Sequence, residues 1–117
     1  MFTYNPNNIF AKIIAGKIPA KKVYEDDFVL AFYDINPEAP IHILVIPKGN
    51  YCNYLHFIKQ ATSNEIVHFF NKVAELSEQY HCGFRLITNN GADSMQSIEH
   101  FHIHILAGKN LGKLLSQ

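Results

Sequence analysis

The stretch His100-Phe101-His102-Ile103-His104-Ile105-Leu106 decides how the chain is read. Histidine alternates here with large apolar residues, a period that suits a strand and not a helix. In a strand, Phe101, Ile103 and Ile105 enter the core while His100, His102 and His104 line the opposite face. One histidine in such a place is most simply a hydrogen-bonded structural residue. Three in register need another reason, because Thr, Ser or Lys would serve a polar face equally well, whereas imidazole acts as nucleophile, proton carrier and ligand near neutral pH. Metal chelation by His-X-His is one such reason. His100 and His104, however, stand about 13 Å apart at roughly 3.3 Å per residue, so the three do not meet on one ion, and Cys52 and Cys82 lack ligand spacing. The favoured reading is nucleophilic catalysis, with His102 attacking an electrophile while its neighbours hold its tautomer and neutralise charge.

Upstream of the histidines lies Asn89-Asn90-Gly91-Ala92-Asp93-Ser94-Met95-Gln96-Ser97, a loop of backbone donors, hydroxyls and amides suited to phosphate oxygens. No Walker-type or dinucleotide glycine fingerprint is present, so phosphate is expected to be held without those modules. Further out, Ile9, Phe10, Ile13 and Ile14 recur at helical spacing before Gly16, which predicts a short opening helix. Val23 to Glu25, Asp26-Asp27 and Phe28 to Tyr33 read as strand, turn and strand, and Ile41 to Ile46, closed by Pro47, as a third strand. Ile66, Phe69, Phe70, Val73, Leu76 and Tyr80 sit at helical steps behind a Thr62–Glu65 capping box, giving a long helix over 62–80. Phe84 to Thr88 is a fourth strand, and a fifth begins at about His100. Strands clustered on either side of one long helix predict an α+β fold, a mostly antiparallel five-stranded sheet with one long and one or two short helices.

Length and composition agree with one packed unit: 117 residues, ten basic against ten acidic side chains, 17% charged and 48% hydrophobic. This excludes disorder and predicts a single domain over 1–117. The longest unbroken apolar run, Phe28 to Tyr33, has six residues, against roughly 18 for a membrane span. The first residues lack the basic and apolar regions of a secretory signal, and two cysteines make no disulfide framework, so the cytoplasm is the expected compartment. Lys12, Lys17, Lys21 and Lys22 form a basic cluster, but with zero net charge it reads as a solvated face and not a nucleic-acid track. His56, His68 and His81 carry no motif and are expected at the surface.

The segment from Gln96 to Leu106 resembles the signature of the histidine triad superfamily. Ile9-Phe10, Lys12-Ile13-Ile14, Lys17-Ile18-Pro19-Ala20, Tyr24-Glu25-Asp26-Asp27, Ala31-Phe32-Tyr33-Asp34-Ile35, Pro37, Ala39-Pro40 and His42 to Lys48 extend the resemblance to its nucleotide-binding branch, over nearly the whole chain. The resemblance implies a purine ribonucleotide site. Asp34 would accept hydrogen bonds from both ribose hydroxyls, and Ile9, Phe10, Ile13, Phe32 and Ile35 would wall the base. Asn89, Met95, Gln96 and Ser97 would lie against the phosphate with His102 and His104, and His42 would complete a histidine network. Read from the residues alone, Asp34 follows a buried strand with no internal cation in view, which favours the functional role over a cap on the Asn36-Pro37 loop, whereas the apolar five are at least as readily ordinary core and His42 as readily a satisfied buried histidine.

The implied activity is hydrolysis of nucleoside 5′-phosphoramidates or related nucleotidyl conjugates at the α-phosphorus, through a nucleotidyl–His102 intermediate, with His104 and Ser97 assisting and His100 orienting His102. A diadenosine polyphosphate hydrolase is the alternative within the superfamily, and a nucleotide-binding adaptor with weak turnover the alternative outside enzymes. No cofactor is expected. Relatives that bind structural zinc carry a Cys pair where this chain has Asn8 and Ala11, so no metal is expected either. Met95 stands where close relatives usually have Gly, and the C-terminal segment from Leu111 lacks the aromatic tail of some relatives. The resemblance also implies a two-fold homodimer built on the long helix and the Phe84 to Thr88 strand.

Overall fold

Alternate residues of each strand diverge to two different covers, and that divergence organises the molecule. A computed structural model describes residues 2–115. Five strands, β1 (Lys22–Glu25), β2 (Val29–Tyr33), β3 (Ile41–Pro47), β4 (Phe84–Ile87) and β5 (Ile103–Ala107), form one sheet in the order β1-β2-β3-β5-β4. Every neighbouring pair is antiparallel. Three helices accompany it: α1 (Ile9–Ile14), α2 (Tyr54–Gln60) and α3 (Ser63–Ser77). The α+β class and the five antiparallel strands expected from the sequence are therefore present. Among the described residues no helix is long and apolar enough to cross a membrane.

One sheet face packs against α2 and α3. Val29 and Ala31 of β2, Ile43 and Val45 of β3 and Ile103 and Ile105 of β5 meet Phe57, Phe69, Val73 and Phe101 in one buried cluster. The rings of Phe57, Phe69 and Phe101 lie 4.9–5.2 Å apart, within the range where aromatic pairs gain beyond simple burial. The other face carries Leu30 and Phe32 of β2 with Leu44 and Ile46 of β3, covered by Phe10 and Ile13 of α1. Being six residues long, α1 covers only part of it.

Local chemistry sets the ends of these elements. Asp26 builds the β1–β2 turn by accepting from the Phe28 and Val29 amides. The capping box of α3 is complete, with Thr62 accepting from the Glu65 amide at 3.1 Å and Glu65 from that of Thr62 at 3.3 Å.

Several expectations need correction. The long helix stops at Ser77, and Tyr80 lies in the turn beyond it. Helix α2 was not located from sequence; its one clear signal is Asn53, whose side chain caps it through the His56 amide. His56 is buried and not at the surface, since its Nδ1 accepts from the Cys52 amide and Phe2 stacks on its ring. His68 is half-buried against Asp26 at 2.6 Å. Strand β5 begins at Ile103 and not at His100. The ladder stops there because the Phe101 amide donates to the Tyr51 carbonyl instead of to β3, and the Thr88 hydroxyl takes the His102 carbonyl.

Candidate active site

Where α1 leaves the sheet uncovered, a cavity of about 340 Å³ opens. Its wall includes Ile9, Phe10 and Ile13 from α1, Phe32 from β2, Asp34 and Ile35 from the following loop, and Asn89, Met95, Gln96 and Ser97 from the loop before the histidines. His102 and His104 complete the wall at the end of β5. Twelve residues that the sequence reading assigned to nucleotide binding are thus brought to one cavity, although they come from four separate chain segments. His100 and His42 are not on its wall.

His100 departs from the expectation that the three histidines share an open face. It is fully buried, its Nε2 donating to the Pro47 carbonyl at 2.7 Å and its Nδ1 meeting the Tyr4 hydroxyl at 2.6 Å. The backbone turn before β5 sends this ring away from the cavity, while its carbonyl stays beside His102.

The hydrogen-bond network assigns the tautomers of the other histidines. His102 Nδ1 lies 2.7 Å from the His100 carbonyl, which can only accept, so Nδ1 carries the proton and Nε2 keeps its lone pair. Among the described residues nothing hydrogen-bonds to that Nε2, and no buried polar side-chain atom is left without a partner, so Nε2 is accessible in the cavity. His42 Nδ1 accepts from the Glu38 amide at 3.0 Å, so its Nε2 carries the proton and donates to His104 Nδ1 at 2.8 Å. His104 is then left with a proton on Nε2. The result is a base at His102 beside a proton donor at His104, the two rings 5.1 Å apart.

Burial keeps these rings neutral. It lowers the pKa of His102 and His42, and with neighbouring His102 and His42 brings His104 down to about 4. Burial also lowers His100 to about 4, against the opposing bond to Pro47. A neutral His102 is the form that can attack.

Asp34 caps the Asn36-Pro37 loop and also reaches the cavity. Its Oδ1 accepts from the Asn36 amide at 2.8 Å, an Asx-type turn, while Oδ2 lies 3.5 Å from His42 Nε2 and the residue stays on the cavity wall. Asp34, His42 and His104 also hold one potential metal-ligand atom each within 4.8 Å of one another. The donor set does not suit a metal, because His42 Nε2, the atom nearest both partners, carries the proton and has no free lone pair. At the other candidate metal position, Asn8 caps α1 by accepting from the Ala11 amide.

The loop before the histidines is built from within. Gln96 Oε1 accepts from the Gly91 amide, and its Nε2 donates to the carbonyls of Cys52 and Ile98. Its amide is therefore committed to shaping the loop, which leaves Asn89 and the exposed Ser97 as the polar side chains of the loop on the cavity wall without hydrogen bonds among the described residues. Met95 adopts φ 62°, ψ 37°, the left-handed region that favours glycine, and is 85% exposed at the cavity rim. Sequence reasoning missed Tyr4, Pro47 and Glu38 as partners of the histidines. The first two act across 96 and 53 positions of chain, and no local pattern marks them.

A strand-borne histidine cluster with an unprotonated nitrogen in a cavity, on a five-stranded antiparallel sheet, defines a protein of the histidine triad class. Residues 15–111 match the HIT domain family. The chain is 50% identical over 116 residues to an uncharacterised HIT-like protein of Rickettsia prowazekii, covering 97% of each. Among solved structures, a HIT family hydrolase from Clostridium thermocellum superposes with TM-score 0.82 at 35% identity, over 95% of this chain and 99% of that one. A histidine triad protein from Clostridium difficile gives TM-score 0.77 at 43% identity, over 95% and 98%. The chain belongs to the HIT domain family.

Proposed function

We propose that the protein is a purine nucleotide hydrolase that cleaves nucleoside 5′-phosphoramidates, or closely related nucleotidyl conjugates, at the α-phosphorus. The observation that carries the reading is the accessible, unprotonated Nε2 of His102, with its Nδ1–H held by the His100 carbonyl. In the first step Nε2 attacks phosphorus, a P–N bond to His102 forms, and the bond to the amine breaks. The imidazole becomes cationic, and its charge is stabilised through Nδ1–H by the carbonyl. His104 Nε2–H and Ser97 stabilise the phosphoryl oxygens and the departing nitrogen, which takes up a proton from solvent water and leaves as the amine. Water then cleaves the His102–phosphorus bond, giving the nucleoside monophosphate and restoring His102. The apolar wall from Ile9 to Ile35 receives the base, and Asp34 Oδ2 accepts from the ribose. The naming of the Clostridium thermocellum relative as a hydrolase supports the reaction class.

The test is turnover of a panel of adenosine and guanosine 5′-phosphoramidates, their 2′-deoxy analogues and diadenosine polyphosphates. The reading expects the ribose phosphoramidates to be turned over fastest. Tight nucleotide binding without turnover of any of them would make the protein a binding module, and faster cleavage of diadenosine polyphosphates would move the leaving group from an amine to a phosphate.

The protein is further proposed to act as a homodimer. Phe84 and Leu86 project from the edge strand β4 at 44% and 47% exposure, on the sheet side shared with Ala107 and Ile105, and Phe70 of α3 is half-buried beside the same core. An apolar edge strand of this kind is a surface that proteins normally cover. Light scattering at micromolar concentration should give twice the monomer mass, and Phe70→Glu should dissociate or precipitate the protein. A monodisperse wild-type monomer would refute the dimer.

A further inference from the structure

Resting on the reading of His102 as the nucleophile, we infer that Tyr4, outside the cavity and outside the histidine row, is a positioning residue for it. The connection consists of four hydrogen bonds. Asn8 Nδ2 donates to the Tyr4 oxygen at 3.0 Å, and the hydroxyl donates its own proton to His100 Nδ1, 2.6 Å away. Burial raises the Tyr4 pKa, which keeps that proton in place. His100 Nδ1 is the acceptor there because the Pro47 carbonyl, which can only accept, takes the Nε2–H at 2.7 Å. The fully buried His100 ring is thus held at both nitrogens, and with it the carbonyl that takes the Nδ1–H of His102 at 2.7 Å. All four bonds close on a single protonation pattern.

Removing the Tyr4 hydroxyl would leave His100 Nδ1 buried without a partner, a condition proteins avoid by moving the ring or admitting water. Either response shifts the His100 carbonyl and loosens the tautomer of His102. Packing against the ring is a separate matter. Tyr4 meets His100 edge-on at 5.5 Å, and Phe at that position keeps this contact. Phe2, on the same N-terminal segment, stacks on His56 at 4.7 Å and provides the control for a segment that only covers the core.

The experiment combines long-range ¹H–¹⁵N spectra of the histidine rings at neutral pH with steady-state kinetics on adenosine 5′-phosphoramidate, for wild type, Tyr4→Phe and Phe2→Leu. Wild type should show His100 protonated at Nε2 and His102 at Nδ1. Tyr4→Phe should turn the His102 signals into a mixture of tautomers and lower kcat on the order of 10-fold, as expected for one lost hydrogen bond that aligns the nucleophile. KM should stay within about twofold, and Phe2→Leu should change neither the His102 signals nor kcat. A wild-type His100 protonated at Nδ1 would overturn the inference without reference to any variant's folding. So would unchanged His102 signals in Tyr4→Phe, a loss confined to KM, or equal losses of kcat in the two variants. If wild type turns over no phosphoramidate, the proposed function fails and the spectra alone decide the role of Tyr4.

Discussion

On β3, Ile43 and Val45 enter the aromatic core beneath α2 and α3, while His42, Leu44 and Ile46, one step out of phase, face the side that α1 only partly covers. β5 and the residue before it repeat the division, with Ile103 and Ile105 in the core and His102 and His104 on the cavity wall. The same backbone thus makes a closed layer on one side and an open, histidine-lined cavity on the other, and the length of the covering helix decides which. Fifteen residues of α3 and seven of α2 close the first face, whereas six of α1 leave a gap on the second. The buried polar rings beside that gap are tolerated because each is hydrogen-bonded.

The comparison can be broken most sharply on the reactive face. His102→Ala should abolish turnover while nucleotide affinity stays within about tenfold, since a nucleophile acts mainly in the transition state. Equilibrium binding alongside steady-state rates checks both parts. On the closed face, Phe69→Ala should cost about 3–5 kcal/mol of stability through the cavity it leaves among Phe57, Phe70 and Phe101. Denaturant melts would measure that loss, and kcat per folded molecule should not change. A fall in kcat would show the two faces coupled through Phe101, which sits between His100 and His102 in the chain.

The reactive face also sets a pH limit. His100 and His104 titrate at about 4 in the folded protein because they are buried, and at about 6.5 in an unfolded chain. The unfolded state therefore binds protons first on acidification. Stability should be level with respect to these groups above about pH 6.5 and fall as pH drops from about 6.5 toward 4. Denaturant midpoints across that window test the sign, and midpoints that rise on acidification would contradict it. The smallest effect is at the rim. Met95→Gly should stabilise by about 0.5–1 kcal/mol, because relief of the left-handed backbone outweighs the extra entropy of glycine in the unfolded chain. A small upward shift in Tm is the readout.

What the sequence revealed and what it concealed follow the range of the interactions involved. Strand alternation is local, so the burial of Phe101, Ile103 and Ile105 and the placing of His102 and His104 on the opposite face could be read from seven consecutive residues, although the cavity there could not. The Thr62–Glu65 capping box is local too, and it is present. The burial of His100 was not legible, because it depends on Tyr51 taking the Phe101 amide and on Tyr4 reaching across the fold. His56 is hidden for the same reason, with Phe2 as its cover. Helix α2 has too short an apolar pattern to distinguish it from a loop without seeing Phe57 inside the core. Asp34 was legible only as two alternatives, and the structure satisfies the turn with one oxygen while leaving the other beside His42.

The central claim is that one face of this sheet carries a nucleophilic imidazole, and it is tested most directly by acid quench during turnover of an adenosine 5′-phosphoramidate radiolabelled in the nucleotide, followed by peptide mapping. The account predicts acid-labile label on the peptide containing His102, absent from His102→Ala. Label on any other residue would contradict it.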